Sequence, residues 1–228
     1  MEEGMDLIKE ALSRGRPALT EHESKQLLQA YGIPVNQEQV AMDAESAVSS
    51  AAGLGFPVVL KAAGTSLFHK TELEAVALNL RSEDAVRKEA ERLLNIPGCE
   101  CLLVEEMVPG SRELVCGLIR DVLFGPCVMF GLGGILTEIL EDTVFRLAPL
   151  TVGAAIEMAS EIRTRKILNS LRGESAVAMD ALSRTLVALG EIGMQHPEVA
   201  EIDINPLKIR PDGNPVAVDA LVVLKASS

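Results

Sequence analysis

The feature of this sequence that most limits its fold is a change of pattern about a hundred residues from its start. Before the change, helical stretches alternate with apolar, strand-like runs, as in residues 44–52, 56–62 and 82–94. After it, extended segments come first, two long helical stretches (residues 152–168 and 176–196) follow, and a final hairpin closes the chain. Alternating elements predict an α/β lobe, and segregated strands and helices predict a second lobe, so we expect an α+β protein.

The strand predicted over residues 101–108 joins the two halves. We predict a single domain over residues 1–228, with a first lobe at residues 18–104 and a second lobe at residues 105–228 that carries the closing hairpin. Because clefts between lobes are common ligand sites, binding residues are expected on both sides of the junction.

Composition argues against two classes of partner. The net charge of −12 opposes binding to a nucleic-acid backbone, and aromatic residues make up only 3% of the chain, too few for a base-stacking platform. No apolar run reaches the length of a membrane span, and the acidic residues 1–10 are unlike a signal peptide. The four cysteines form no CxxC pair and are expected to be free thiols. We therefore expect a cytoplasmic protein with no nucleic-acid or membrane partner.

The closing hairpin carries the most informative chemistry. Side chains of a strand alternate between its faces, so Glu201, Asp203 and Asn205 share one face of the penultimate strand. The turn at residues 211–214 folds the last strand back and brings Asp219 opposite or next to Asn205. These oxygen ligands, with no lysine expected beside them, suit Mg²⁺. The alternative is a solvated acidic face, although Asp219 lies within an apolar run, where an unpaired carboxylate is costly.

A cation, carboxylates and glycines precede this hairpin. Lys61 lies at the end of an apolar strand, where it could reach a phosphate or simply be solvated. Glu105 and Glu106 end the strand that begins at residue 101, and Glu113 lies on the next strand. Glu105 and Glu113 could accept hydrogen bonds from an amine and from ribose hydroxyls, or be ordinary surface charges.

A glycine-rich segment follows the first predicted hairpin of the second lobe. Gly131, Gly133 and Gly134 leave backbone N–H groups open to an anion, or else form a structural turn. The segment is not a Walker A motif, because no Gly-Lys-Ser/Thr follows, and its position after a hairpin is unlike a Rossmann fingerprint.

His69 lies in a polar loop that follows Lys61 in sequence. Neutral imidazole is a good phosphoryl acceptor near neutral pH. Most lone loop histidines are inert, so this residue alone does not establish a phosphohistidine.

Nine segments of the chain, taken together, resemble a known family. In this order and spacing they resemble the ATP-grasp domain of ADP-forming acetyl-CoA (acyl-CoA) synthetases, relatives of succinyl-CoA synthetase β subunits, over residues 18–224. The segments are Phe56-Pro-Val-Val-Leu-Lys61, Ser66-Leu-Phe-His-Lys70, Val104-Glu-Glu-Met-Val-Pro-Gly110, Arg112-Glu-Leu114, Phe124-Gly-Pro126, Met129-Phe-Gly-Leu-Gly-Gly134, Phe145-Arg-Leu-Ala-Pro-Leu150, Leu171-Arg-Gly173 and Glu201-Ile-Asp-Ile-Asn-Pro-Leu207.

The resemblance implies an ATP-grasp fold with ATP or ADP in a cleft between two α/β lobes. It implies that Lys61 contacts the phosphates, that the strand of Glu105 meets the adenine and that Glu113 meets the ribose. It implies Mg²⁺ on the closing hairpin and a mobile-loop histidine that ferries phosphate. The implied ligand sets are Glu106, Val108, Gly131, Gly133, Gly134 and Arg146 for the nucleotide, Asn205, Asp219 and Asp203 for the metal, and His69 for catalysis.

The implied reaction is acid + CoA + ATP ⇌ acyl-CoA + ADP + phosphate. CoA and the acyl group are bound mainly by a separate CoA-binding α subunit or domain, which is expected to form a heterotetramer with this chain. One departure is that Glu74 and Ala75 stand where the family usually has two glycines. This departure raises the alternative of a catalytically degenerate nucleotide-binding regulatory domain. Another ATP-grasp carboxylate ligase that works through an acyl-phosphate, and would not need His69, also stays open.

Overall fold

The computed structural model describes residues 2–65, 75–134 and 142–225. The chain forms two compact units, one of residues 36–108 and one of residues 1–35 together with 109–228. In the segments described, no helix is both long enough and apolar enough to cross a bilayer.

The first 35 residues therefore belong with the second half of the chain, and the units differ from the predicted lobes, 18–104 and 105–228. The physical reason is apolar burial. Helix α1 (Glu2–Ser13) and helix α2 (Glu21–Ala30) place Ile8, Leu27 and Leu28 in the core of the larger unit. The segment before α2 adds a hydrogen bond from the backbone N–H of Leu19 to the carbonyl of Val222, 2.9 Å long.

The smaller unit is an antiparallel sheet with two helices. Its strand order is β1-β4-β2-β3, and the helices bury Val48, Val86 and Leu93 against it. Asp43 caps the first of the two helices as predicted, because its carboxylate accepts from the backbone N–H of Ser46. The elements are β1 Glu38–Ala41, α3 Ala44–Leu54, β2 Val58–Ala63, β3 Val76–Leu80, α4 Glu83–Leu94 and β4 Cys101–Glu106.

The larger unit is built on a six-stranded antiparallel sheet. Its strand order is β10-β8-β5-β6-β7, and β9 pairs with β8. One face packs against the core helices through Leu118, Val128 and Ile202. The elements are β5 Arg112–Asp121, β6 Gly125–Leu132, β7 Thr143–Leu147, α5 Val152–Glu161, a 3₁₀ turn Arg165–Leu168, α6 Met179–Gln195, β8 Val199–Ile209, β9 Pro215–Ala217 and β10 Leu221–Leu224.

Two predicted elements are interrupted. The helical stretch predicted over residues 152–168 ends at Glu161, because the buried carboxylate of Asp142 accepts from the backbone N–H groups of Arg163 and Thr164. Those donors are thus lost to a continuing helix. The last predicted strand is split at residues 218–220 into β9 and β10.

Arg112 holds the irregular segment after α5 against the sheet. Its side chain is among the largest that are fully buried, and it donates to the carbonyls of Ile167, Asn169 and Ser175. It also pairs with the Glu174 carboxylate at 3.1 Å. A buried guanidinium needs all of these acceptors. The segment after α5 and the start of β5 therefore stabilise each other.

We expect Arg112→Met to lower the free energy of unfolding by about 3 kcal/mol, because it leaves buried carbonyls without their donor. Urea unfolding followed by circular dichroism measures this. The matched control is Arg184→Met, at an exposed position of α6, which should change stability by less than about 0.5 kcal/mol. A loss below about 1 kcal/mol for Arg112→Met would show that the segment is held by other contacts.

Candidate nucleotide and metal site

The outer face of the larger sheet, which is the face away from the core helices, carries the predicted oxygen ligands. Ile202 and Ile204 are buried in the core, so Glu201 and Asp203 project from the opposite side, as the alternation predicted. Asp203 pairs with Gly117 of β5, where a Cβ would come within 2.1 Å of the Ile202 carbonyl oxygen, so the close approach of β5 to β8 at this point requires a glycine. The ladder partner of Asp203 therefore adds no side chain to the outer face.

Asp219 lies in the break between β9 and β10. The pairs on either side of the break are Leu207 with Ala217 and Asp203 with Leu221. The same register continues through the break, so Asp219 lies across from Asn205, as the predicted turn required. A residue in a break is free of the strict alternation of a strand, which lets its carboxylate approach the outer face.

The electrostatics of this group suit a cation. Burial, together with the neighbouring carboxylates of Glu201 and Asp219, raises the pKa of Asp203 to about 6. Crowded carboxylates that resist ionisation are relieved by a divalent ion. Carboxylate and amide oxygens are also the ligands that Mg²⁺ prefers.

A β-bulge adds a cation to the same face. The ladder between β5 and β8 shifts register after Leu114, so residues 205–206 lie together opposite one residue of β5. The core side chains on either side, Ile204 and Leu207, are therefore three positions apart rather than two. This shift turns Lys208 to the outer face, where strict alternation would not place it. A lysine therefore shares the outer face with the oxygen ligands, at the end that carries Glu113.

Glu113 stands at the other end of the outer face, opposite Lys208 in the ladder. Its Oε1 lies 3.8 Å from the Lys208 Nζ. Its backbone carbonyl accepts from the N–H of Gly133 at 2.9 Å. A Cβ on Gly134, whose φ is +73°, would come within 2.7 Å of the Glu113 carboxylate. Glu113, Gly133 and Gly134 thus form one cluster, which their sequence separation did not reveal.

Two other predicted residues have different surroundings. Gly131 belongs to strand β6 rather than to a loop, and a Cβ there would lie 2.5 Å from the Asp142 carbonyl oxygen. Arg146 pairs with Val128, a core residue, so it lies on the opposite face from Asp203. Its guanidinium bonds to Glu161 and to the Phe145 carbonyl. The structure does not bring Arg146 to the outer face.

The smaller unit contains a buried charged cluster of its own. Lys61 lies inside strand β2 rather than at its end, and its Nζ is 3.2 Å from Glu105 Oε1. The side chains are only 8% and 2% exposed, so neither is a surface charge. Asn36, which the sequence reasoning did not single out, donates from Nδ2 to Glu105 Oε2 at 2.7 Å. The only feature of the sequence that could have drawn attention to Asn36 is its place directly after Pro34 and Val35, in a segment predicted to be extended.

The remaining predicted residues of this region flank that cluster. Glu106 accepts from the backbone N–H of Gln37 at 3.0 Å, and Val108 is buried. His69 and Glu74 lie outside the described residues. Ala75 is described, is fully buried, and its carbonyl accepts from the N–H of Ala62.

Comparison with known proteins decides the family. A profile of the ATP-grasp domain matches residues 10–224. The chain belongs to the ATP-grasp family. It is 39% identical to the β subunit of ADP-forming acetate–CoA ligase I of Pyrococcus furiosus, over 96% of this chain and 97% of that one. It is 37% identical to an Archaeoglobus fulgidus ADP-forming acetate–CoA ligase, of which it covers only 33%.

Solved structures agree with this ATP-grasp assignment. The dinucleotide-forming acetyl-coenzyme A synthetase 1 of Candidatus Korarchaeum cryptofilum, in complex with coenzyme A and Ca-AMPCP, matches with a TM-score of 0.92 and 40% identity. The match covers 97% of this chain and 100% of that one. The predicted fold, and the role of nucleotide-binding subunit of an ADP-forming acyl-CoA ligase, are thereby confirmed.

The pKa of Asp203 predicts a pH dependence of stability. Its pKa is about 6 in the folded protein and near 3.8 unfolded, so its favourable contribution is present below pH 4 and is lost as the pH rises through 6. We expect Asp203→Asn to gain stability relative to wild type between pH 4.5 and 7.5, in EDTA. Urea unfolding at each pH measures the difference.

The matched control is Asp212→Asn. Hydrogen bonds from Asn214 hold the pKa of Asp212 below its usual value, so its contribution is constant over this range. A stability difference for Asp203→Asn that does not change with pH would contradict the raised pKa.

Proposed function

We propose that the outer face of the larger sheet binds Mg²⁺ and the phosphates of ATP or ADP in an ADP-forming acyl-CoA ligase. The reaction is acid + CoA + ATP ⇌ acyl-CoA + ADP + phosphate. The observation that carries the proposal is the convergence of Asp203, Asn205 and Asp219 on one face in a chain of the ATP-grasp family.

Asn205, Asp219 and Asp203 would hold the metal ion. The fit is supported by the donor chemistry and by the raised pKa of Asp203, which shows that its carboxylate is destabilised by burial and by like charges. Bound there, Mg²⁺ would neutralise charge on the transferring phosphoryl group. Glu113 would accept from the ribose hydroxyls at the other end of the face.

The smaller unit contains residues that the family resemblance assigns to the nucleotide. Lys61 is the cation for the phosphates, and its ion pair with Glu105, braced by Asn36, fixes where the ammonium stands. Glu105, Glu106 and Val108 belong to the segment that the family resemblance assigns to the adenine. Asn36 in this arrangement is a positioning residue for Glu105.

His69 would carry the phosphoryl group. In the direction of ATP use, an imidazole nitrogen attacks the γ-phosphorus, a P–N bond forms, the bond to the β–γ bridging oxygen breaks, and ADP leaves. The reverse transfer makes ATP from ADP and phosphohistidine. Support comes from a Korarchaeum cryptofilum structure that contains a phosphohistidine segment pointing towards its nucleotide-binding site.

A CoA-binding α subunit or domain would supply the other half of the reaction, in a heterotetramer with this chain. Some relatives are separate β subunits of about this length, and others are chains about three times as long. In both arrangements, polypeptide outside this domain would bind CoA and the acid.

A second candidate is a nucleotide-binding domain without phosphotransfer. The observation that favours it is the departure at Glu74 and Ala75. Ala75, however, is buried and pairs with β2. Its methyl group is therefore accommodated within the smaller unit.

Incubation with γ-labelled ATP and Mg²⁺ tests the histidine relay. We expect acid-labile, base-stable label on the wild-type chain and at least about tenfold less on His69→Ala, because the nucleophile is gone. His22→Ala, at the start of α2, should label as wild type does. Acid-labile label that persists in His69→Ala would exclude His69, and a wild-type chain that binds ATP without labelling would favour the second candidate.

The metal assignment has its own test. We expect Asn205→Ala and Asp219→Ala each to weaken Mg-ADP binding at least about tenfold in calorimetry, because each removes an oxygen ligand. Asp212→Ala, in the exposed turn after β8, is the control and should bind as wild type does. Unchanged affinity in both ligand variants would remove the metal from this hairpin.

A further inference from the structure

Lys208 lies on the outer face of the larger sheet, and the proposed metal and ribose contacts give it no role. Its side chain is 17% exposed, and its Nζ is paired with Glu113 Oε1 at 3.8 Å, which is beyond hydrogen-bond range. Within the described part of the chain the ammonium donates no hydrogen bond. An ammonium has three N–H donors, so Lys208 keeps its full donor capacity for an acceptor on this face.

The position of Lys208 relative to the metal ligands is set by the bulge. Lys208 pairs with Glu113, and Asp203 pairs with Gly117, four residues further along β5. Four residues of a strand span about 13 Å. In a nucleotide that has its ribose at Glu113 and its metal-bound phosphates at Asp203, the α-phosphate would lie beside the Lys208 ammonium.

Charge balance supports the same placement. The outer face presents the carboxylates of Glu113, Glu201 and Asp203, which repel a polyphosphate. Mg²⁺ would offset this repulsion only at the end near Asp203. At the end near Glu113, the Lys208 ammonium is a compact positive charge that would do so.

We propose that Lys208 binds the α-phosphate of the nucleotide by a charge-assisted hydrogen bond. This inference rests on the proposed function, since it places the nucleotide on the same face. Lys208 would be a phosphate-binding cation that belongs to the larger unit itself.

Calorimetry of the full chain with Mg-ADP, AMP and adenosine tests this. We expect Lys208→Met to weaken Mg-ADP and AMP by about tenfold each and adenosine by less than about twofold, because only the first two carry the α-phosphate. Lys208→Arg keeps the charge and should stay within about threefold of wild type. Lys225→Met removes the same charge from an exposed position after β10, and its affinities should match wild type.

Each other outcome overturns the inference in a distinct way. An equal loss for adenosine would mean that Lys208 acts only through Glu113 on the ribose. A loss for Mg-ADP but not for AMP would place the contact on the β-phosphate. If Lys208→Met is destabilised, Lys208→Gln replaces it in the same titrations. Affinities equal to wild type in a folded variant would show that Lys208 does not bind the nucleotide. A wild-type chain that binds no Mg-ADP would contradict the proposed function itself.

Discussion

Apolar packing between the six-stranded sheet and helices α5 and α6 decides which side chains of that sheet can carry charge. Ile202, Ile204 and Leu118 are buried in this contact, and each buried side chain that is fully removed from water contributes about 1.5–3 kcal/mol. A slip of one residue in β8 would bury Asp203 and expose Ile202, at a cost comparable with the whole stability of a typical domain. The acidic outer face is therefore a consequence of the core.

Buried charges elsewhere follow one rule, which is that each is matched by fixed partners. Arg112 is surrounded by three carbonyls and a carboxylate, Lys25 pairs with Glu21 at 3.0 Å, and Lys61 pairs with Glu105. Such ion pairs add little net stability, because the cost of desolvation offsets their attraction. They do, however, restrict the positions that the paired side chains can take. In the smaller unit this property holds the proposed phosphate-binding ammonium in one place.

The outer face differs because its carboxylates are crowded against one another and its lysine is held only by a long ion pair. Asp203 resists ionisation beside Glu201 and Asp219, and Lys208 stands beyond hydrogen-bond range of Glu113. A face of this kind is stabilised by a ligand that brings both a divalent cation and anionic oxygens. Mg-nucleotide has that combination, which is why the proposed function accounts for both ends of the face together.

The sequence by itself determined the elements and the alternation within them. The capping residue Asp43, the acidic face of β8 and the return of Asp219 to Asn205 were all readable, because strand periodicity and helix caps depend on neighbours in the chain. Only the tertiary structure decided that Lys208 joins that face, that Arg146 leaves it, and that the first 35 residues complete the larger unit. Each of these depends on long-range pairing: a bulge set by the register of β5 against β8, a position in the ladder between β6 and β7, and a core shared by residues far apart in the chain.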